Sequence, residues 1–276
     1  MSGGLCFTSI PLLSEHEYRP SEELLQKLSG YEFSKDRITH YFCPVCGMHM
    51  LARVLPKDRN AMIATWFATC GSIIAATNFY HPQHEYVEDT IDGGITNAVQ
   101  FLNNKRVARW PGHPKEGQQL PLYWVSPQKP RSSLVPCDNP HARCKCRGVE
   151  FWIMRPANGL KSQVKLGHYN SCHLDNGMEP YATATFETES ENILLDENGF
   201  VSYPLCRDFG TLKTWWSSAD ARKKFCGVCG AAVFLIKGDG SRLEVSVGVL
   251  AAPEGVRAES WLEWPPEYNT DLERAR

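Results

Sequence analysis

Cys144-Lys145-Cys146 and Cys226-Gly227-Val228-Cys229 place four thiols in two tight pairs. Four thiolates suit one tetrahedral zinc ion, and a closed set of four leaves no open position for a substrate. The chemistry these residues offer is therefore structural first: an ion that ties two distant stretches of chain together. In Phe225-Cys226-Gly227-Val228-Cys229-Gly230 the glycines let backbone amides turn toward the sulfurs, as in a zinc knuckle. The alternative is two unrelated reduced pairs, which one CxxC alone would allow and two pairs together argue against.

Around the CxC pair, Arg143, Lys145 and Arg147 alternate with the cysteines. They can meet an anionic substrate carboxylate. Equally, they can offset the negative charge of a zinc-thiolate cluster. Elsewhere the chemical signal is weak. His81-Pro82-Gln83-His84 has HxxH spacing but no acidic partner of the helical metalloprotease kind, so a solvated loop is expected. Glu85, Glu88, Asp89 and Asp92 read as a solvated acidic face, and Cys137 and Cys206 stand without a paired base.

The chain repeats itself once. Phe42-Cys43-Pro44-Val45-Cys46-Gly47 returns 183 residues later as Phe225-Cys226-Gly227-Val228-Cys229-Gly230. The flanks agree: Tyr31-Glu32-Phe33-Ser34 parallels Trp215-Trp216-Ser217-Ser218, and Ala68 to Ile74 parallels Val245 to Leu250. Two copies of one module are expected. Residues 1–110 hold a first, incomplete copy, 111–138 a linker rich in proline, glycine and polar residues, and 139–276 the second copy with the metal site. Strand signals dominate, as in Val149-Glu150-Phe151-Trp152-Ile153 and Leu243-Glu244-Val245-Ser246-Val247. The one helical stretch is Ser21 to Leu28, with serine placed to cap the first turn. The expected fold class is therefore mainly β, with few short helices.

With 276 residues, 42 % of them hydrophobic, the chain can build two cores. Eleven cysteines, an odd number, and an opening Met1-Ser2-Gly3-Gly4 without the charged and apolar stretches of a signal peptide argue against a secreted disulfide scaffold. No apolar run reaches the roughly 18 residues that cross a bilayer. A net charge of −2 without a basic tail gives no electrostatic reason to expect nucleic acid. A soluble cytoplasmic protein with no membrane or nucleic-acid partner is expected.

The order of these motifs, CxC, a middle cysteine loop, then FCxxCG and a strand ending in a VGxL-like turn, resembles the glutathione-dependent formaldehyde-activating enzymes and the related centromere protein V. The resemblance covers Asn139 to Trp264 in full and the first copy in part. It implies two coiled-sheet modules pinned by zinc, with Cys144, Cys146, Cys226 and Cys229 on one structural ion. It also implies carbon-sulfur lyase chemistry on a glutathione-aldehyde adduct, at a second zinc held by three thiolates of a CxCxxC loop.

That loop is where the chain departs from the family. Gly177-Met178-Glu179 sets its register, and the three ligand positions fall on Gly167, Tyr169 and Cys172, so one thiol remains. A catalytic zinc needs about three protein ligands. Any surviving activity would fall to Cys172 with His168, Tyr169 and His173. Adjacent residues on a strand point to opposite faces, which argues against His168, Cys172 and His173 sharing one ion. The expectation is a small-thiol or related ligand site with the parent reaction altered or lost, or else a non-catalytic zinc-stabilised binding module or an enzyme on another small molecule of specialised metabolism. By the same alignment the first copy's CxC strand and loop would precede Met1, leaving Cys43 and Cys46 without their zinc partners. Cys6 and Cys70 are the nearest substitutes by copy number, with a buried core thiol the favoured reading of Cys70. A β module without its opening strands leaves a sheet edge uncovered, so the first copy is expected to pack on the second.

Overall fold

The computed structural model describes residues 10–14, 19–56, 63–68, 83–102, 105–114, 117–127, 141–153, 159–167, 181–187, 194–196, 199–201, 208–238, 240, 242–265 and 268–269. The described chain is mainly β. The first five strands, β1 (Ile10–Ser14), β2 (Ser29–Ser34), β3 (Ile38–Phe42), β4 (His49–Val54) and β5 (Thr65–Ala68), form one sheet in the order β1-β5-β4-β3-β2. Helix α1 (Glu22–Gln26) precedes β2. The Ser21 side chain accepts the Leu24 N–H at 3.2 Å, as the sequence suggested, but α1 buries nothing, so its leucines cover no core.

After β5 come the short strands β6 (Gln83–His84), β7 (Val99–Leu102), β8 (Lys105–Arg106) and β9 (Ala108–Arg109). The second half begins with β10 (His141–Arg143), β11 (Glu150–Ile153), β12 (Ser162–Gly167), β13 (Tyr181–Glu187), β14 (Leu194–Asp196) and β15 (Gly199–Val201). It continues with β16 (Leu212–Trp216), β17 (Ala221–Cys226), β18 (Ala232–Lys237), β19 (Arg242–Ser246), β20 (Leu250–Ala251), β21 (Leu262–Glu263) and β22 (Tyr268–Asn269). All of these but β22 make a sheet in the order β16-β17-β18-β19-β13-β12-β21 and another in the order β15-β14-β11-β10-β20, while β22 pairs with β7 in parallel.

The repeat read from the sequence is a repeat of structure. β1-β5-β4-β3-β2 has the same neighbour order as β13-β19-β18-β17-β16, all antiparallel. Even the irregularity recurs. Tyr41 pairs Leu51 and Phe42 pairs His49, skipping Met50, while Lys224 pairs Phe234 and Phe225 pairs Ala232, skipping Val233. Such a bulge bends the strand just after each CxxC turn. Among the described residues, the first copy has no counterpart of the β10-β11 hairpin that carries the CxC pair.

The two copies touch through these turns, and the contact is reciprocal. Gly47 and Gly230 both sit at φ +72°. A Cβ placed on Gly47 would come within 2.5 Å of the Phe225 ring, and one on Gly230 within 2.7 Å of the Phe42 ring. Each phenylalanine thus lies on the other copy's glycine, an approach only a residue without Cβ permits. The main core, including Phe151, Phe234, Val245 and Trp261, is built by the second half. Ile95, Ala98 and Val99, from the stretch preceding Trp110, are buried in that same core.

Candidate metal centre and adjoining cleft

The turn after β10 and the turn after β17 bring Cys144, Cys146, Cys226 and Cys229 together. Their four sulfurs lie within 4.8 Å of one another, with Cys144 to Cys146 at 3.4 Å and Cys146 to Cys226 at 3.5 Å. Zinc-thiolate bonds of about 2.3 Å would place tetrahedral sulfurs about 3.8 Å apart, so the quartet fits one such ion. Cys144, Cys226 and Cys229 are buried and Cys146 is half-buried.

Backbone donors already face the sulfurs. Val149 N–H donates to Cys144 Sγ and Gly148 N–H to Cys146 Sγ, both at 3.3 Å. Val228 and Cys229 donate to Cys226 Sγ at 3.4 and 3.5 Å, and the Thr211 hydroxyl lies 3.0 Å from the same sulfur. Amides aimed at sulfur favour the thiolate form that a metal requires. Four thiols this close cannot all ionise without a cation among them. Hydrogen bonds from Cys144 and Cys229 hold Cys226 well below the ordinary thiol range. Cys144 is raised, chiefly by its hydrogen bonds to Cys226 and Cys229 and then by burial.

The first copy reaches this centre. Tyr31 on β2 packs against the core beside the quartet. Burial, followed by the charges of Cys229, Cys146, Cys144 and Cys226, raises its pKa. Two residues along, Phe33 lies under the Lys145 ammonium at 5.1 Å and stacks on His40 with centroids 4.9 Å apart.

On the outer flank of the CxC turn is a cleft of about 540 Å³. Its charged residues are Arg143, Lys145, Arg147 and Asp89, with Phe33 from the first copy and Leu250 from the second among the apolar ones. Three cations against one carboxylate make it a positive site. The basic residues stand beside the thiol quartet and line a cavity. Local chain geometry explains this: Arg143 ends β10, and Lys145 and Arg147 lie on the same tight turn as Cys144 and Cys146, with the Arg147 N–H donating to the Cys144 carbonyl at 3.1 Å.

Of the acidic run, Glu85, Glu88 and Asp89 are exposed as expected, and Asp92 departs from the reading. Asp89 lines the cleft, and Asp92 is buried, accepting the Gly94 N–H at 3.0 Å and the Arg257 N–H at 2.8 Å. It ties the turn at residues 92–94 to the loop around Arg257 rather than facing solvent. The Asp92-Gly93-Gly94 sequence is an aspartate-turn signal that could have shown it. Likewise His84 is no solvated loop residue: its Nε2 lies 2.9 Å from the Val99 carbonyl, and burial lowers its pKa to about 4. His81, Cys6, Cys70, Cys137 and Cys206 lie outside the described residues, as do all four candidate catalytic residues, His168, Tyr169, Cys172 and His173.

Sequence reasoning also missed a buried cluster in the first copy. His40 and His49 meet edge to face at 5.5 Å, and both are buried. Desolvation lowers His40 to about 4 and His49 to about 3. No helix among the described residues is long and apolar enough to cross a membrane. No family model matches the chain, and neither a curated protein nor a solved structure matches it.

Proposed function

We propose that the chain is a zinc-binding β protein of the formaldehyde-activating type whose cleft beside the CxC turn binds a small anionic thiol or related molecule, with the parent carbon-sulfur lyase reaction altered or lost. Zinc on Cys144, Cys146, Cys226 and Cys229 would use every thiolate and supply no open position, so its work is to pin β10 to the β17-β18 turn. The observation that carries the ligand is the grouping of Arg143, Lys145 and Arg147 around one cleft with a single carboxylate, Asp89. Guanidinium and ammonium groups at such a site bind carboxylates through charge-assisted hydrogen bonds.

Calorimetric titration of the zinc-loaded chain with glutathione tests this. Saturable binding weakened at least tenfold in an Arg143→Glu, Lys145→Glu double variant supports it, and unchanged affinity refutes it. Exchange spectroscopy of formaldehyde with glutathione decides the chemistry. Two of the three family thiolates are replaced by Gly167 and Tyr169, so no acceleration over the spontaneous reaction is expected. Acceleration abolished by Cys172→Ala would instead return the chain to the parent activity.

A further inference from the structure

The Cys43–Cys46 turn is a metal knuckle without a metal quartet. Cys43 N–H donates to the Met48 carbonyl at 2.9 Å and Gly47 N–H to the Cys43 carbonyl at 2.8 Å. The equivalent bonds, Cys226 N–H to Ala231 and Gly230 N–H to Cys226, are 2.8 and 2.9 Å. The two CxxC turns therefore share the same pair of backbone bonds. A turn of this form presents both thiols within one short stretch of chain. Yet among the described residues the one group able to hold a metal is the quartet of the second copy.

What stands near the first knuckle in place of further thiolates is a lysine. Lys223 is 2 % exposed, on β17 two residues before the phenylalanine that lies on Gly47. Residues two apart share a strand face, so Lys223 faces the first knuckle. Its stem also places the ammonium 5.5 Å from the Trp215 ring centroid. Burial opposes ionisation of Cys43, but the Cys46 and Val45 amides, the Cys46 thiol and the Lys223 charge outweigh it and leave Cys43 below its ordinary pKa. Burial raises Cys46, and the neighbouring Cys43 adds to the shift. The pair is split into a nucleophile and a protonated partner, the division that thiol–disulfide exchange uses. It is also reachable: both cysteines are half-buried, and Val45 between them is 69 % exposed.

We propose that Cys43 and Cys46 form a redox dithiol that reduces low-molecular-weight disulfides, with buried Lys223 as its counter-charge. Cys43 thiolate attacks one sulfur of R–S–S–R, forming a mixed disulfide and releasing R–S⁻, which takes the proton from Cys46. The Cys46 thiolate then attacks Cys43 Sγ, expels the second R–S⁻ and closes the Cys43–Cys46 disulfide. Two electrons pass from the protein to the small disulfide, and an external dithiol returns them.

The test treats the full, metal-loaded chain with bis(2-hydroxyethyl) disulfide and maps the products by peptide mass. The expected product is an intramolecular Cys43–Cys46 disulfide with the metal retained. Cys46→Ser should stop at a mixed disulfide on Cys43, and Cys43→Ser should give no adduct at this turn. Lys223 acts through Cys43, so its readout is the pH profile of Cys43 alkylation. In Lys223→Met the midpoint should move to higher pH, slowing the reaction at pH 7 about threefold to tenfold. Metal content reports whether that variant has folded. Unreacted cysteines in the metal-loaded chain would overturn the proposal, as would a second metal ion lost in Cys43→Ser. An unchanged alkylation profile in folded Lys223→Met would overturn the role given to the lysine.

Discussion

Replacing Gly47 by alanine touches no cysteine and no charged group, yet it should weaken the whole molecule through the contact between the two copies. The cost has two parts. At φ +72° an alanine meets the left-handed penalty of about 1 to 2 kcal/mol. Its Cβ would also stand 2.5 Å from Cγ and Cδ2 of Phe225, which is buried and fixed beside Cys226. Overpacking of that kind costs about 1 to 3 kcal/mol. Gly238 separates the parts, because at φ +61° it carries the same backbone penalty with nothing within 4 Å of its Cβ position. Gly238→Ala should therefore cost about 1 to 2 kcal/mol and Gly47→Ala about 2 to 5 kcal/mol. For a chain of this size the difference corresponds to a gap in Tm of about 3 to 10 °C. Calorimetric melting of both variants with equal metal content measures it. Equal losses of Tm would show that the Phe225 ring does not rest on the first knuckle, and would undo the reciprocal packing described above.

Elemental analysis of chelator-washed protein should give one zinc per chain, and Cys226→Ser should lose it and unfold the second half, since structural zinc contributes about 10 to 16 kcal/mol in small zinc-folded peptides. Cys43→Ser should cost only about 1 to 3 kcal/mol, so equal melting losses in the two variants would contradict a single quartet. Acid should destabilise the first copy before its carboxylates titrate. His40 and His49, with folded pKa values of about 4 and 3, are neutral when buried, whereas the unfolded chain binds protons near pH 6.5. Their contribution is complete above pH 6.5 and is lost as pH falls toward 4. Urea melts of His49→Gln should show a shallower dependence on pH over that window, and an unchanged slope would count against the buried neutral ring.

Several of these features were legible in the residues alone. The ligand quartet follows from spacing, because a CxC or CxxC pair presents both sulfurs within one turn whatever surrounds it. The repeat, too, was readable down to its register, since the FCxxCG turns and their flanking strands are local patterns; the shared strand order and the shared bulge follow from them. The strand at Leu243 to Val247 and the serine cap at Ser21 belong to the same class of short-range signal.

Position relative to distant chain could not be read this way. Asp92 looks like one acid in a solvated run until the Arg257 amide, 165 residues away, is seen to bond it. Lys223 and Lys224 are adjacent and both buried, yet Lys224 pairs with Asp208 at 2.5 Å while the Lys223 ammonium lies 5.5 Å from the Trp215 ring centroid. Arg143, Lys145 and Arg147 line a cleft only because Phe33 and Asp89 close it from elsewhere in the chain. Sequence determined what each short segment is able to do, since bond geometry and strand alternation act within a few residues. The tertiary structure decided which charges are desolvated and which thiols have partners, because burial and Coulomb interaction depend on separation in space, set here by strands paired across more than a hundred residues.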